Sequence, residues 1–406
     1  MRVAFLTHEP FHPPSGGGSA EAVYLVQELT RRGHAVHLFC PRIEEAEAVR
    51  RRFGVVLHEF RAWPMGRYTA LRSLKYVLYP LFLQRMVEVQ ARTVRFDLLH
   101  SQHAISAVAA GRLRKRLRVP VVMNFLDYLS GFMETWPSHL APAPLISAVK
   151  RFELSLPLRY QADTVLTVSD TLADYFADVG YPRSRLVPIY YGYDAELFPL
   201  RNADAVAERT GSPVVVMHGS FDHHHLGPIA AGALTYVGAR KPGTVFRFVG
   251  RETPSLRQFV RKARQQSPAL RLECTGFVPY SEIACRLADA SVGIVPYEES
   301  SGTHCAFVAK TVEYLGLGLP VVSTPLKSAQ RYFGDEPLVR FAQFNGESFG
   351  EQIVRWLDEP LDQRQAYAPS TSRRVQEELD WCAISRKAIA ALEETQRTWS
   401  AGRASA

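Results

Sequence analysis

Long apolar runs are missing from this sequence. No segment reaches about 18 uninterrupted apolar residues, so a membrane-spanning helix is not expected. A charged leader is missing as well. The start, MRVAFLTHEP, opens directly on a strand-like run, and the expectation is a cytoplasmic protein without a secretory signal. Cysteine is scarce: Cys40, Cys274, Cys285, Cys305 and Cys382 make five, an odd number with no C-x-x-C pair. They read as reduced thiols rather than a disulfide framework. There is no G-x-G-x-x-G fingerprint and no phosphate loop with its lysine. No recognition motif accompanies the basic runs, so nucleic acid is not an expected partner.

What is present fits an ordinary globular chain. Its 406 residues suggest two or three domains, and 47% hydrophobic with 22% charged residues is average usage. The formal net charge of +8 favours anionic partners.

Two halves share one grammar. RVAFLT (2–7) is an apolar run ending at a glycine-rich loop, SGGGS (15–19), and a helical pattern follows. AVHLFC (35–40), DLLHS (97–101), PVVMNF (120–125) and TVLTVS (164–169) continue the first set of strands. PVVVMHG (213–219), VFRFVG (245–250), LRLECTG (270–276), ASVGIVPY (290–297) and LPVVSTP (319–325) make a second set. Runs rich in β-branched residues, without alternation and separated by helical patterns, predict parallel sheets covered on both faces. The expectation is an α/β protein of two doubly wound, Rossmann-like domains, residues 1–200 and 211–380, facing a central cleft. The stretch 190–212 reads as the linker, and a last helix over 381–399 is expected to pack back on the first domain.

Three features carry chemistry. Gly16 and Gly17 lie between a strand and a helix start, where small residues let a phosphate or sugar approach the backbone; a tight turn is the plain alternative. In FVAKTVEYLGLGLPVVSTPL (307–326), Lys310 and Glu313 sit one helical turn apart on one face. An ammonium there can pair with a diphosphate and the carboxylate can bridge two ribose hydroxyls, whereas a surface ion pair is the commoner fate of such spacing. The stretch MHGSFDHHHLGP (217–228) gathers four histidines and an aspartate, but with no H-x3-H spacing, so no metal is expected.

K-x-x-E-Y, a glycine-rich turn and G-x-P-V-V-S-T resemble the nucleotide-binding half of GT-B glycosyltransferases. The sequence is similar to the group around glycosyltransferase family 4 and the membrane-associated glucuronosyltransferases of bacterial polysaccharide assembly. RRGHAV (31–36), DLLHSQH (97–103), ADTVLTVSDTLADYF (162–176) and YYGYDAELF (190–198) follow in family order. The resemblance runs from about residue 1 to 395.

The resemblance implies a GT-B fold and a donor site in the second domain for a nucleotide diphosphate sugar, a UDP-sugar being favoured. Lys310 would face the diphosphate and Glu313 the ribose. Gly276, Phe277 and Val278 would hold the base, and Gly219 and Ser220 would face the phosphates. Thr303 and Tyr297 join the donor set. It also implies no cofactor and no metal. Two departures stand out. The family's Glu-x7-Glu would place its first carboxylate at 305, where this chain has Cys305. The loop that commonly carries Arg and Lys is here GSFDHHHLG. Charge neutralisation then falls to Lys310, to Arg251 or to the histidines. We expect His218 or one of His223 to His225 to donate to the diphosphate or sugar, so that donor affinity weakens as pH rises.

Asp127, just past a strand end, is the candidate base that takes the acceptor hydroxyl's proton; a helix N-cap is the plain alternative. Leu126 stands where other members carry His, which favours an inverting, Asp-base enzyme. RYTALRSLKYVLYPLFLQRM (67–86) and RLRKRLR (112–118) read as a surface for anionic lipid or a lipid-linked acceptor, or else as a core helix beside a solvated basic one. The expected activity is transfer of a sugar to a hydroxyl of a glycan, glycolipid or hydrophobic aglycone, in the cytoplasm or peripherally at the inner membrane face. Two other readings stay open. One is a GT-B sugar-nucleotide epimerase, against which the missing acid at 305 argues. The other is a non-catalytic sugar-nucleotide sensor, against which Lys310, Glu313 and Asp127 argue.

Overall fold

Short runs of Val, Leu, Ile and Phe, buried on both faces, can only be strands of a sheet covered on two sides. The computed structural model describes residues 1–12, 17–61, 75–138, 142–201 and 212–404. Gly16, residues 67–74 of the basic stretch and 202–211 of the linker lie outside the described residues. The chain divides into two units: Met1–Ser130 with Ser147–Tyr190 and Cys382–Ala406, and Gly131–Ile146 with Tyr191–Trp381.

The first unit holds β1 (Arg2–Leu6), β2 (Ala35–Pro41), β3 (Val56–Phe60), β4 (Leu98–Gln102), β5 (Val121–Phe125), β6 (Thr164–Thr167) and β7 (Leu186–Pro188). They form one sheet in the order β3-β2-β1-β4-β5-β6-β7, every pair parallel. Its helices are α1 (Gly17–Arg31), α2 (Ala46–Phe53), α3 (Lys75–Gln90), α4 (His103–Leu117), α5 (Ala143–Arg159, from Ser147 onward) and α6 (Asp170–Asp178). The order reverses between β1 and β4. In such sheets ligands bind beyond the carboxyl ends of the strands at that reversal.

The last helix, Trp381–Ala404, belongs to the first unit from Cys382 onward. Glu393 takes hydrogen bonds from Arg32 and pairs with His34, both at 2.9 Å, and the Thr395 and Thr164 hydroxyls meet at 2.7 Å. The basic run RLRKRLR is the end of α4. There Arg114 binds Asp163 and lies over the Trp399 ring, and cations suit the negative end of a helix.

The second unit repeats the scheme with β8 (Val214–His218), β9 (Val245–Val249), β10 (Arg271–Cys274), β11 (Val292–Val295), β12 (Val321–Ser323) and β13 (Val339–Phe341). The order is β10-β9-β8-β11-β12-β13, again parallel throughout, with the reversal between β8 and β11. The expected architecture of two Rossmann-like sheets is therefore the observed one. Three strands, β3, β7 and β13, were not expected. Each lies at a sheet edge, is three to five residues long and is only partly buried, so no continuous apolar run marks it.

Candidate functional site

In the second unit, β8 carries His218 to the sheet's carboxyl end, and Gly219 turns the chain with φ +102°. The helix Ala309–Gly316 stands against this turn. Tyr314 anchors it: its hydroxyl accepts from the His218 N–H at 3.2 Å, and its ring fills the space that Gly293 of β11 leaves open. That docking buries Lys310 and Glu313 together, at 7% and 3% exposure. They are not a surface ion pair, because each has its own partners.

Glu313 receives the His218 ring, Nε2 to Oε2 at 2.5 Å, and the Tyr280 hydroxyl on Oε1 at 2.8 Å. Tyr191 reaches both the Tyr280 hydroxyl, at 3.2 Å, and Glu313 Oε1, at 3.5 Å. Burial first, and then the Glu313 charge, push the Tyr280 hydroxyl well above the usual tyrosine range, so it stays a donor. Lys310 donates to the Tyr297 hydroxyl at 3.0 Å. The same hydroxyl faces His225 Nε2 at 3.0 Å, while His225 Nδ1 accepts the Asp222 N–H at 3.0 Å. Because Nδ1 accepts, the proton sits on Nε2 and points at Tyr297. Tyr297 thus takes two donors and retains its own O–H to give. A Cβ on Gly219 would stand 3.2 Å from Lys310 Cε, so glycine leaves room for the ammonium.

The histidine loop is now resolved residue by residue. His218 is committed to Glu313 and His225 to Tyr297. His224 stacks near His225, with ring centroids 3.8 Å apart, and burial, then the Lys310 charge, push it down to about 3. His223 is exposed. Among the described residues no three His, Cys, Asp or Glu side chains converge as a metal site.

The other expected donor residues lie around this core. Ser220 is exposed beside Gly219. Gly250 bridges to Gly276, which turns with φ +74° in open space; Val278 is buried and Phe277 is 60% exposed. Arg251 lies over the Phe277 ring, 5.3 Å from its centroid. Thr303 is buried, and its hydroxyl closes a capping box with Ser300 and donates to the Glu298 carbonyl at 2.9 Å. Cys305 is buried where a family carboxylate was expected. Glu298 does not replace it: its carboxylate caps the helix Pro228–Arg240, accepting from the Ile229 N–H at 2.9 Å, and Glu299 pairs with His304 at 3.3 Å.

In the first unit Gly17 opens α1. Asp127 follows β5 by two residues and is half-buried, and the next helical turn along the chain begins at Gly131. Glu21 of α1 is fully buried, accepts the Asn124 amide at 2.7 Å and senses the Asp127 charge.

Sequence reading missed Glu21, Asn124, Tyr191 and Tyr280, and it named Tyr297 without its partners Lys310 and His225. Only Glu21 carried a signal, a charge in line with Leu25 and Leu29 on the apolar stripe of α1.

Residues 15–197 match the model of Glycosyltransferase Family 4, and residues 212–359 match that of Glycosyl transferases group 1. No curated protein matches the chain. Among solved structures, a sucrose-phosphate synthase from Thermosynechococcus elongatus is similar with a TM-score of 0.79 at 17% identity, over 97% of this chain and 98% of that one. HepE of Anabaena, solved in complex with UDP-glucose, is similar with a TM-score of 0.71 at 18% identity, over 97% and 100%. A glycosyltransferase from Rickettsia africae gives 0.65 at 11%, over 97% and 98%. At such identities the likeness is one of fold.

Proposed function

Because this chain belongs to the glycosyltransferases, with a Family 4 first unit and a group 1 second unit, we propose that it transfers a glycosyl residue from a UDP-sugar to a hydroxyl acceptor. The observation that carries this reading is the buried pairing of Lys310 and Glu313 at the carboxyl end of β8. Desolvated charges strengthen any ligand contact they make. Lys310 neutralises the leaving diphosphate, and the Tyr297 hydroxyl gives it a further hydrogen bond. Glu313 accepts two ribose hydroxyls. A carboxylate has about four lone-pair sites, so it keeps His218 and Tyr280 while doing so, and the longer 3.5 Å contact from Tyr191 gives way. Arg251 and Phe277 offer a flat face beside the Gly276 turn for the base. The UDP assignment is supported by HepE, which has a similar fold and was solved with UDP-glucose.

Asp127 is the base. It takes the acceptor hydroxyl's proton as that oxygen bonds to the anomeric carbon, and the bond from that carbon to the diphosphate breaks, the diphosphate leaving with the electron pair. Attack opposite the leaving group inverts the centre. Asp127→Asn should lower turnover at least about 100-fold, the usual contribution of general base catalysis, with UDP affinity unchanged. Near-normal turnover of that variant would remove the assignment.

The acceptor we propose is a glycan, glycolipid or hydrophobic aglycone presented at an anionic membrane surface. Among the described residues no helix is long and apolar enough to cross a membrane. Support comes from α3, which exposes Tyr76, Val77, Leu81, Phe82 and Val89. Arg85 lies among them, and Arg116 of α4 pairs with Glu88 of α3, bringing the exposed Arg112 and Lys115 alongside. Flotation with anionic liposomes at low salt should carry the protein upward; a protein that stays at the bottom contradicts the membrane reading.

A further inference from the structure

One buried acid of the first unit has no part in the scheme above. Glu21 points inward from α1 at 2% exposure, and Asn124 of β5, at 1%, donates its amide to it at 2.7 Å. Among the described residues no cation offsets its charge. Among the described residues the groups that act on Glu21 are Asn124, from β5, and Asp127, from the segment after β5, and Asp127 is negative. The other end of the amide is equally informative. Asn124 Oδ1 is buried and has no donor among the described residues. A buried acceptor without a donor is costly, and here the missing donor has an obvious source. A neutral carboxyl faces a primary amide through two antiparallel bonds, N–H to carbonyl one way and O–H to carbonyl the other.

We propose that Glu21 and Asp127 work as two unlike carboxyls: Glu21 keeps its proton, gives it as a hydrogen bond to Asn124 Oδ1, and holds the end of β5 from which the ionised Asp127 acts. Glu21 is thereby a positioning residue for the base. The inference rests on the reading of Asp127 given above. Burial supports it, pushing Glu21 up to about 8, with the Asn124 bond opposing and the Asp127 charge adding. Glu21 holds its proton throughout the cycle; the proton that moves is the acceptor's, to Asp127. Above about pH 8 an ionised Glu21 would face Asn124 Oδ1 with no proton to share and set a second negative charge near the base.

The test has two arms. In glutamate-labelled wild-type protein, one carboxyl carbon should titrate near pH 8 by nuclear magnetic resonance, and that signal should vanish in Glu21→Gln. No glutamate titrating above about pH 6.5 would overturn the proposal, since ordinary glutamates titrate near 4.3. The second arm follows UDP release from UDP-glucose with water as acceptor. Glu21→Leu, which removes both bonds, should lower kcat about 10-fold at an unchanged donor KM, and Glu21→Gln, which keeps both, should restore it and abolish the alkaline decline. An alkaline decline that persists in Glu21→Gln overturns the proposal, as does a Glu21→Gln enzyme as slow as Glu21→Leu. If Glu21 titrates as expected while Asp127→Asn stays active, the base reading fails and the neutral Glu21 stands.

Discussion

Replacing His218 by Leu tests the buried network on which the proposed donor site stands. The His218 and Glu313 side chains are 3% and 4% exposed, and their contact is 2.5 Å. Removing the imidazole leaves Glu313 Oε2 without its partner in an apolar setting. Breaking one side of such a pair costs about 3–5 kcal/mol, because a buried charge is left uncompensated. The Tyr280 and Tyr191 hydroxyls remain on Oε1 and soften the loss by about 1 kcal/mol. The expectation for His218→Leu is therefore a loss of about 2–4 kcal/mol. Glu313→Leu alone strands the imidazole and costs about the same. The double variant His218→Leu/Glu313→Leu replaces both partners by packing, and such exchanges are often close to neutral. A double-mutant cycle by urea denaturation, followed by the fluorescence of Trp356 and Trp381 in this unit, should return a coupling of at least about 2 kcal/mol. Single losses that simply add in the double variant would refute the paired network.

Three further outcomes follow from the same geometry. Glu21 is raised from its ordinary 4.5 to about 8, so its favourable neutral form is fully present below pH 4.5 and its contribution is lost as pH rises through 8. At pH 7 that amounts to about 3 kcal/mol, and Glu21→Gln should gain on wild type by that amount between about pH 4.5 and 7 in thermal or urea unfolding. Gly250→Ala would place a Cβ 2.2 Å from the Gly219 carbonyl at φ +152°; it should cost at least about 2 kcal/mol in urea unfolding and weaken UDP binding by displacing the Gly219 turn proposed to face the phosphates. Tyr280→Phe removes one of the hydrogen bonds to a buried carboxylate and should destabilise by about 2 kcal/mol in the same assay.

How much of this was legible in the sequence depends on what each feature is made of. Buried strands announce themselves, since Val214–Met217 and Val121–Met123 are apolar on every side. Edge strands such as Leu186–Pro188 do not, because they are only partly buried. Lys310 and Glu313 were legible from their spacing alone, but their partners were not. His218 comes from β8, Tyr280 from the turn after Gly276, and Tyr191 from the segment before β8; only the folded unit gathers them. The histidine run was legible as a loop whose neighbouring side chains diverge, but not which partner each one meets. His218 and His225 turn inward to different partners, while His223 turns out. Thr303 stands at the start of a short helix, and its hydroxyl completes the cap, a use its position could have suggested.

The central claim is that the second unit binds a uridine diphosphate through Lys310. UDP titrated calorimetrically into the wild-type chain and into Lys310→Met tests it most directly. Saturable one-to-one binding to wild type is expected, with affinity about 10–100-fold lower in the variant, the worth of one charge-assisted bond to phosphate. Equal affinities in the two proteins, or no binding of UDP to the wild type, would contradict it.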